Sequence, residues 1–379
     1  MTLHTPESAP ARRERSLQQT LLNILAVYGL LILLAILIIV FSVLRPNTFP
    51  TAFNFRSILS DKSIVAVLAL GVMIPLAANQ FDLSVGYMVG LSHILVMGFQ
   101  VRLGMGWLLA VIVVVIIGAL VGVVNGLLVT RVKINSFIAT LGSGTVLYGI
   151  ANWYTGSSQV TGTLPREFRN ISSAIEGIPV GAIYVLIIGI VLYIVLEYLP
   201  LGRQLYVAGA NPRAAELLGI SQNRLVPAAF AASGALAAFA GVVLGSRLGV
   251  GQASVGPDMM LPAFAAALLG ATSMKPGRVN VWGTILAVLV LAVAVAGLLQ
   301  LGAQFFVEPL FNGLMLITSV GLAGYAARRR AALERQASTL AIIQANSAAR
   351  TAEPPVDAPD LPVASGTTAE STASTRQSP

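Results

Sequence analysis

The stretch GANPRAAELLGIS, Gly209 to Ser221, is a polar, helix-forming segment between two long apolar runs. Asn211 is a favourable N-cap, because its side chain can accept a hydrogen bond from a free N–H of the first turn. Pro212 follows at the first helical position, where its missing N–H costs nothing, and Gly219 can supply a left-handed stop. A helix of under two turns is unstable in water alone. We therefore expect either an ordinary capped loop helix held at both ends or a helix presented to a soluble partner.

Composition indicates a membrane protein. Of the 379 residues, 56% are hydrophobic and only 10% are charged, whereas soluble domains carry about 25% charged residues. We therefore expect an all-α, polytopic membrane protein. The net charge of +8 does not point to nucleic acid, because an excess of Lys and Arg in a membrane protein normally marks cytoplasmic loops.

The residues that could bind a metal are scarce. No cysteine is present, which excludes disulfides and thiolate metal sites. The two histidines, His4 and His93, cannot form a metal centre alone, so no metal site is expected. His93 lies in an apolar run, where we favour helix packing over a proton relay.

Apolar runs divide the chain into about ten spans, since roughly 20 apolar residues cross a bilayer. We expect a cytoplasmic N-terminal segment at 1–16, a transmembrane domain at 17–330 and a cytoplasmic, largely disordered tail at 331–379. The runs 83–100 and 258–274 are short and interrupted, so either could be a broken or re-entrant helix. The ten predicted spans are 21–43, 61–79, 83–100, 107–130, 137–155, 179–199, 225–246, 258–274, 281–302 and 307–327.

Lys and Arg residues predict the orientation. With the N-terminus inside, fourteen of them lie on the cytoplasmic side and seven on the outer side. This bias favours two cytoplasmic termini and also puts 209–221 in the cytoplasm.

The segment NQFDLSVG, 79–86, interrupts apolar sequence with polar groups. It predicts either a turn that caps the next helix or a broken helix whose exposed backbone groups bind a polar substrate. Asn79, Gln80, Asp82 and Ser84 are therefore candidate substrate-pathway residues. Asn125 is another candidate, with helix packing as the favoured alternative.

The sequence shows neither a nucleotide-binding motif nor a set of ionisable residues within its spans that could use an ion gradient. The glycine-rich GATSMKPG, 270–277, lacks the Gly-Lys-Ser/Thr ending of a phosphate loop, so no cofactor is expected on this chain. The spans are almost free of ionisable residues, which argues against a proton-coupled carrier.

In series, five stretches resemble the membrane permease subunits of ribose/xylose-type sugar ABC importers, within the branched-chain amino-acid-type permease superfamily. They are FDLSVG (81–86), VVNGLLVTRVKINSFIATLG (123–142), GANPRAAELLGIS (209–221), GSRLGVGQASVG (245–256) and LLGATSMKPGRVNVWGT (268–284).

The resemblance implies a permease of about ten helices in a bacterial plasma (inner) membrane that has no enzymatic site of its own. It works as a homo- or heterodimer with a second permease subunit, receives solute from a periplasmic or lipoprotein solute-binding protein, and uses ATP bound by cytosolic ABC ATPase subunits. It implies no nucleic-acid partner. The segment 209–221 resembles the helix that docks on the ATPase, which makes ATPase-coupling residues of Asn211, Pro212, Arg213, Ala214, Ala215, Glu216, Leu218 and Gly219.

Two departures leave the solute open. The chain has Lys275–Pro276–Gly277 where the family usually has a Gly-Gly pair, and Pro257–Met260 where it often has a Gly-Tyr-Glu-Leu-like run. The expected function is import of a monosaccharide or related small polar solute. A branched-chain amino-acid permease is the close alternative, and a gradient-driven carrier or a passive channel are alternatives from other classes.

Overall fold

In the computed structural model, the described residues are 9–318, 320, 321, 324, 338 and 339, with side chains from Val27 onward. Most of the predicted tail 331–379, the first eight residues of the segment 1–16 and most of the last third of the run 307–327 lie outside them. The chain divides into two units, Met1–Ala327 and Arg328–Pro379, and every element named below belongs to the first.

The described part of the first unit is built from helices and one small hairpin. The helices are α1 (Ala9–Leu44), α2 (Ala52–Ala77), α3 (Ser84–Val101), α4 (Trp107–Thr130), α5 (Ser136–Thr155), α6 (Arg166–Arg169), α7 (Val180–Glu197), α8 (Pro200–Ala210), α9 (Pro212–Leu217), α10 (Gln222–Leu248), α11 (Met260–Gly270), α12 (Val281–Gln300) and α13 (Val307–Thr318). Strands β1 (Ala174–Ile175) and β2 (Ile178–Pro179) pair antiparallel. Their two-residue turn, Glu176–Gly177, has positive φ at both positions, as such hairpins require.

Seven of the described helices are long and apolar enough to cross a membrane, namely α1 (over Val27–Leu44), α2, α3, α4, α7, α10 and α12. Helix α5 has the length, but its Ser, Thr, Gly and Asn residues lower its hydropathy. Helices α11 and α13 are short over the described residues. The predicted all-α membrane fold is confirmed, and these ten helices are consistent with about ten spans without establishing that number.

Several boundaries differ from the predicted spans. Helix α1 already begins at Ala9, inside the predicted segment 1–16, rather than at 21, and two further differences have a visible cause. Helix α2 begins at Ala52 rather than 61, because the Thr51 side chain caps it by accepting from Asn54 N at 3.2 Å. Hydropathy misses this start, since the first turns are polar. The run 258–274 is α-helical only over α11, which follows a 3₁₀ turn at Pro257–Met259. Beyond α11, Ser273 and Met274 hydrogen-bond to the Val27 carbonyl of α1.

Helix α10 lies at the centre and packs against α4, α3 and α2. Its contact with α4 is close because small residues recur every four positions along α4, at Gly118, Gly122 and Gly126. A Cβ built on Gly122 would fall 2.0 Å from the Phe230 carbonyl oxygen of α10. This contact holds Asn125, which is fully buried, inside the bundle rather than toward lipid.

Helix α3 is mostly enclosed by protein, and its His93 is fully buried. His93 Nε2 hydrogen-bonds to the carbonyl oxygen of Val250, which ties α3 to the loop after α10. This contact agrees with the packing role favoured for His93.

Candidate functional site

Helices α8 and α9 form an elbow at the surface, and Asn211 is the residue where they meet. Its extended backbone (φ −150°, ψ 94°) ends α8 and begins α9. The Asn211 side chain accepts a hydrogen bond from Ala214 N at 3.1 Å, and Pro212 occupies the first turn. Both local features follow the sequence prediction, and they fix the direction in which α9 leaves α8.

The end of α9 is closed by a left-handed residue. Gly219 has φ +77°, Gly219 N donates to Glu216 O at 3.0 Å, and Ile220 N donates to Ala215 O at 2.9 Å. This pair of bonds is the Schellman motif. The Gln222 side chain then donates to Pro212 O at 2.9 Å, which links the start of α10 to the start of α9. A helix of six residues is thus held at both ends.

The outer face of the elbow is open. Asn211, Pro212, Arg213, Glu216, Leu218 and Gly219 are exposed, Ala214 is half-buried, and Ala215 is fully buried against the core. Leu217, which the sequence prediction passed over, is 89% exposed, and Leu218 is 72% exposed. Two neighbouring leucines on a rigid, exposed turn are suited to contact another protein.

The inner face of the elbow touches the end of α2. Gly202, Leu205 and Ala208 of α8 are buried. Next to them, a Cβ on Gly209 would lie 2.4 Å from Ala77 O, so only glycine permits this approach. The elbow is therefore in backbone contact with the segment that leads into the predicted break.

Asn79 lies two residues after the end of α2 and stops the helix by adopting the left-handed conformation, with φ +56°. Asn79 N donates to Leu76 O and Gln80 N to Pro75 O, both at 2.9 Å, which is again a Schellman motif. The Asn79 side chain is exposed and that of Gln80 half-buried. Asn is among the few residues that adopt this backbone readily.

Asp82, Ser84 and Asn125 form a buried chain of hydrogen bonds. Asp82 Oδ1 accepts from Ser84 N at 3.2 Å and from Ser84 Oγ at 2.5 Å, and Asn125 Nδ2 donates to Ser84 Oγ at 2.9 Å. All three side chains are at most 3% exposed. These hydrogen bonds join the break to α4. They agree with the capping interpretation of the segment 79–86 and with the packing interpretation of Asn125.

Helix α5 supports the same break through residues that were not predicted as site residues. Ser136 Oγ accepts from Phe81 N at 3.1 Å, and Thr140 Oγ1 accepts from Leu83 N at 3.0 Å. These side chains replace the helical partners that the backbone N–H groups of Phe81 and Leu83 lack.

A charged cluster joins the end of α7 and helix α8 to the loop between α11 and α12. Glu197 accepts from Lys275 at 2.5 Å and from Arg278 at 2.6 Å, and Arg278 Cζ lies 4.2 Å from the centroid of the Tyr206 ring. Tyr206 donates to Val279 O at 2.9 Å. Burial raises the pKa of Tyr206 to about 12, so its hydroxyl remains a donor at neutral pH. No pattern in the sequence around Tyr206 predicts these contacts.

The chain is similar in sequence to several named import permeases. It is 35% identical to the ribose import permease protein RbsC of Bacillus subtilis over 289 residues, which is 76% of this chain and 89% of that protein. It is 30% identical to the D-allose transport system permease protein AlsC of Escherichia coli over 296 residues, or 78% and 90% of the two chains. It is also 30% identical to the autoinducer 2 import system permease protein LsrC of Yersinia enterocolitica over 284 residues, which is 74% of this chain and 77% of that protein. No solved structure matched.

The family model described as "branched-chain amino acid transport system / permease component" matches residues 54–320, which contain the elbow, the break and every predicted site residue. The chain is therefore a multi-pass membrane protein that belongs to this family of transport permeases.

Proposed function

We propose that this chain is the membrane-spanning subunit of an ATP-driven importer that carries a monosaccharide or a related small polar solute into the cytoplasm. The names of the relatives, ribose and D-allose permeases, support the solute class. ATP is bound and hydrolysed by cytosolic partner subunits, a solute-binding protein delivers the solute, and a second permease subunit completes the pathway. This chain binds no cofactor.

The observation that carries the proposal is the elbow of α8 and α9. Its outer face presents Leu217 and Leu218, and its inner face meets α2 at Gly209. An ATPase subunit docked on the outer face would move α8, and Ala77 and the following break would move with it. This contact would link the predicted coupling residues mechanically to the predicted pathway residues.

The charge distribution supports the proposed orientation. The excess of Lys and Arg on one side predicts cytoplasmic termini and a cytoplasmic elbow. The bonds of Lys275 and Arg278 to Glu197 belong to that same side.

The test is to co-express the chain with candidate ABC ATPase and solute-binding subunits and to measure ATP-dependent uptake in vesicles. We expect uptake of a monosaccharide to require all partners, and the double substitution Leu217→Ser/Leu218→Ser to abolish ATPase co-purification. Leu103→Ser is the matched control, since Leu103 is also exposed (65%) but lies in the loop that precedes α4. ATP-independent uptake driven by an ion gradient would favour a carrier, and uptake without any energy source a channel.

Branched-chain amino acids are the second candidate solutes, because the family description names them. Competition of labelled ribose and labelled leucine uptake by the unlabelled compounds separates the two classes.

A further inference from the structure

A cavity of about 540 Å³ opens between α2, α11, α12 and α13. Asp61 and Lys62 of α2 line it, and Ala77 at the opposite end of α2 meets the elbow. Sixteen residues of helix separate Asp61 from Ala77, or about 24 Å at 1.5 Å per residue. The cavity therefore lies on the other side of the membrane domain from the elbow, which is the outer side in the proposed orientation.

Most charges at the cavity are already neutralised within the protein. Lys62 donates to Glu308 at 2.6 Å, which joins α2 to α13, and Arg247 pairs with Asp61. Asp258 is exposed at the start of the segment leading into α11 and has no ion-pair partner among the described residues. Valine, leucine, alanine, proline and one methionine side chain supply the apolar wall. Paired charges on an apolar wall do not select a strongly charged ligand.

Asn312 of α13 points to a ligand. Its side chain is only 6% exposed and lines the cavity, yet no described residue hydrogen-bonds to its amide. The amide is not among the fully enclosed, unpartnered polar atoms of the described residues, so it keeps accessible surface at the cavity, which is the space in which a partner can bind. Its volume falls in the range of small-molecule sites, roughly 300–1,000 Å³.

We propose that this cavity is an outward-facing binding chamber for a neutral polyhydroxylated solute. Its hydroxyl groups donate to the Asp258 carboxylate and exchange hydrogen bonds with the Asn312 amide, while its carbon skeleton contacts the apolar wall. The inference rests on the proposed function, and it places the first solute contact of the permease far from the predicted residues 79–84 and 125.

The chain has no cysteine, so a single introduced cysteine reports on the chamber without a background signal. Leu261→Cys lies at the cavity and is 47% exposed, and Phe305→Cys, whose parent residue is 86% exposed and does not line it, is the matched control. In intact membranes that contain the full complex, we expect a membrane-impermeant maleimide to label both. Saturating ribose or allose should slow labelling at position 261 at least fivefold and leave position 305 unchanged.

The second variant is Asn312→Leu, which keeps the side-chain size and removes the amide. It should abolish protection of Leu261→Cys at sugar concentrations that half-protect the parent, with a shift of about five- to tenfold, as expected for one lost hydrogen bond. Sugar uptake without protection, or protection that Asn312→Leu does not weaken, would overturn the chamber and leave the proposed function standing. Neither uptake nor protection by any monosaccharide would overturn both.

Discussion

Gly209 of α8 lies so close to Ala77, the last residue of α2, that a Cβ on the glycine would fall 2.4 Å from the Ala77 carbonyl oxygen. Real Cβ atoms do not approach that closely, so the two backbones must separate if any other residue replaces the glycine. The elbow, whose outer face we assign to an ATPase partner, is thus in direct contact through its inner face with the segment that begins the break at 79–83.

Gly209→Ala should therefore lower transport at least severalfold, because the overpacked contact costs about 1–3 kcal/mol or displaces the elbow from α2. Gly149→Ala is the control, since Gly149 is helical in α5 with open space at its Cβ position. Both variants are compared with wild type by their uptake and by the thermal stability of the purified complex. Unchanged uptake by Gly209→Ala would argue against mechanical coupling through this contact.

Gly219 should tolerate Asn but not Asp or Val. Its φ of +77° disfavours residues with a Cβ, although nothing lies within 4 Å of the Cβ position, so the effect is backbone strain of about 1–2 kcal/mol rather than a clash. An acidic side chain also adds unfavourable charge at a helix end. We expect Gly219→Asp to leave membrane insertion intact and to weaken ATPase co-purification. Gly156→Asp, at a left-handed stop after α5, should leave co-purification unchanged.

Asn79 offers a direct test between architecture and solute binding. If its left-handed backbone is what matters, Asn79→Gly should transport at close to wild-type level and Asn79→Ala should be impaired. If the exposed amide binds solute, both variants should raise the uptake KM equally. Concentration-dependent uptake at matched expression distinguishes the two outcomes.

Asp82→Asn should retain much of the transport, because an amide oxygen can still accept from Ser84 N and Oγ. Asp82→Leu should impair it severely, since the buried Ser84 N–H loses its acceptor at about 1–3 kcal/mol. Asn125→Ala should alter the uptake KM more than the amount of protein in the membrane. Loss of transport in Asp82→Asn together with an unaltered KM in Asn125→Ala would show that the charge itself is required, as in a gradient-driven carrier.

Tyr206→Phe should lower the free energy of unfolding by roughly 1 kcal/mol, the usual net value of one hydrogen bond. The variant loses the bond to Val279 O but keeps the ring that Arg278 contacts. Tyr206→Ala should cost more and should also reduce transport, since the link between α8 and the loop after α11 is lost. Tyr28→Phe provides a comparison at an exposed tyrosine. Equal melting temperatures for Tyr206→Phe and wild type would contradict the structural role of the hydroxyl.

The features that the sequence alone determined are those fixed by neighbours within a few residues. Apolar runs predicted the membrane helices, because backbone groups in lipid must be paired within a helix. Asn211, Pro212 and Gly219 predicted the bounds of α9, since caps and left-handed stops act over one turn. The polar break at 79–84 was visible for the same reason, as a local interruption of an apolar run.

Contacts between distant residues were decided only by the tertiary structure. Asn125 meets Ser84 across 41 positions, and Lys62 meets Glu308 across 246. The sequence around Gly209 does not predict its contact with Ala77. The sequence around Asn312 likewise does not predict that its side chain lines a cavity. Such relationships depend on how close two helices approach and at what angle, which the packing of side chains along their whole length sets, whereas hydropathy and capping describe one helix at a time.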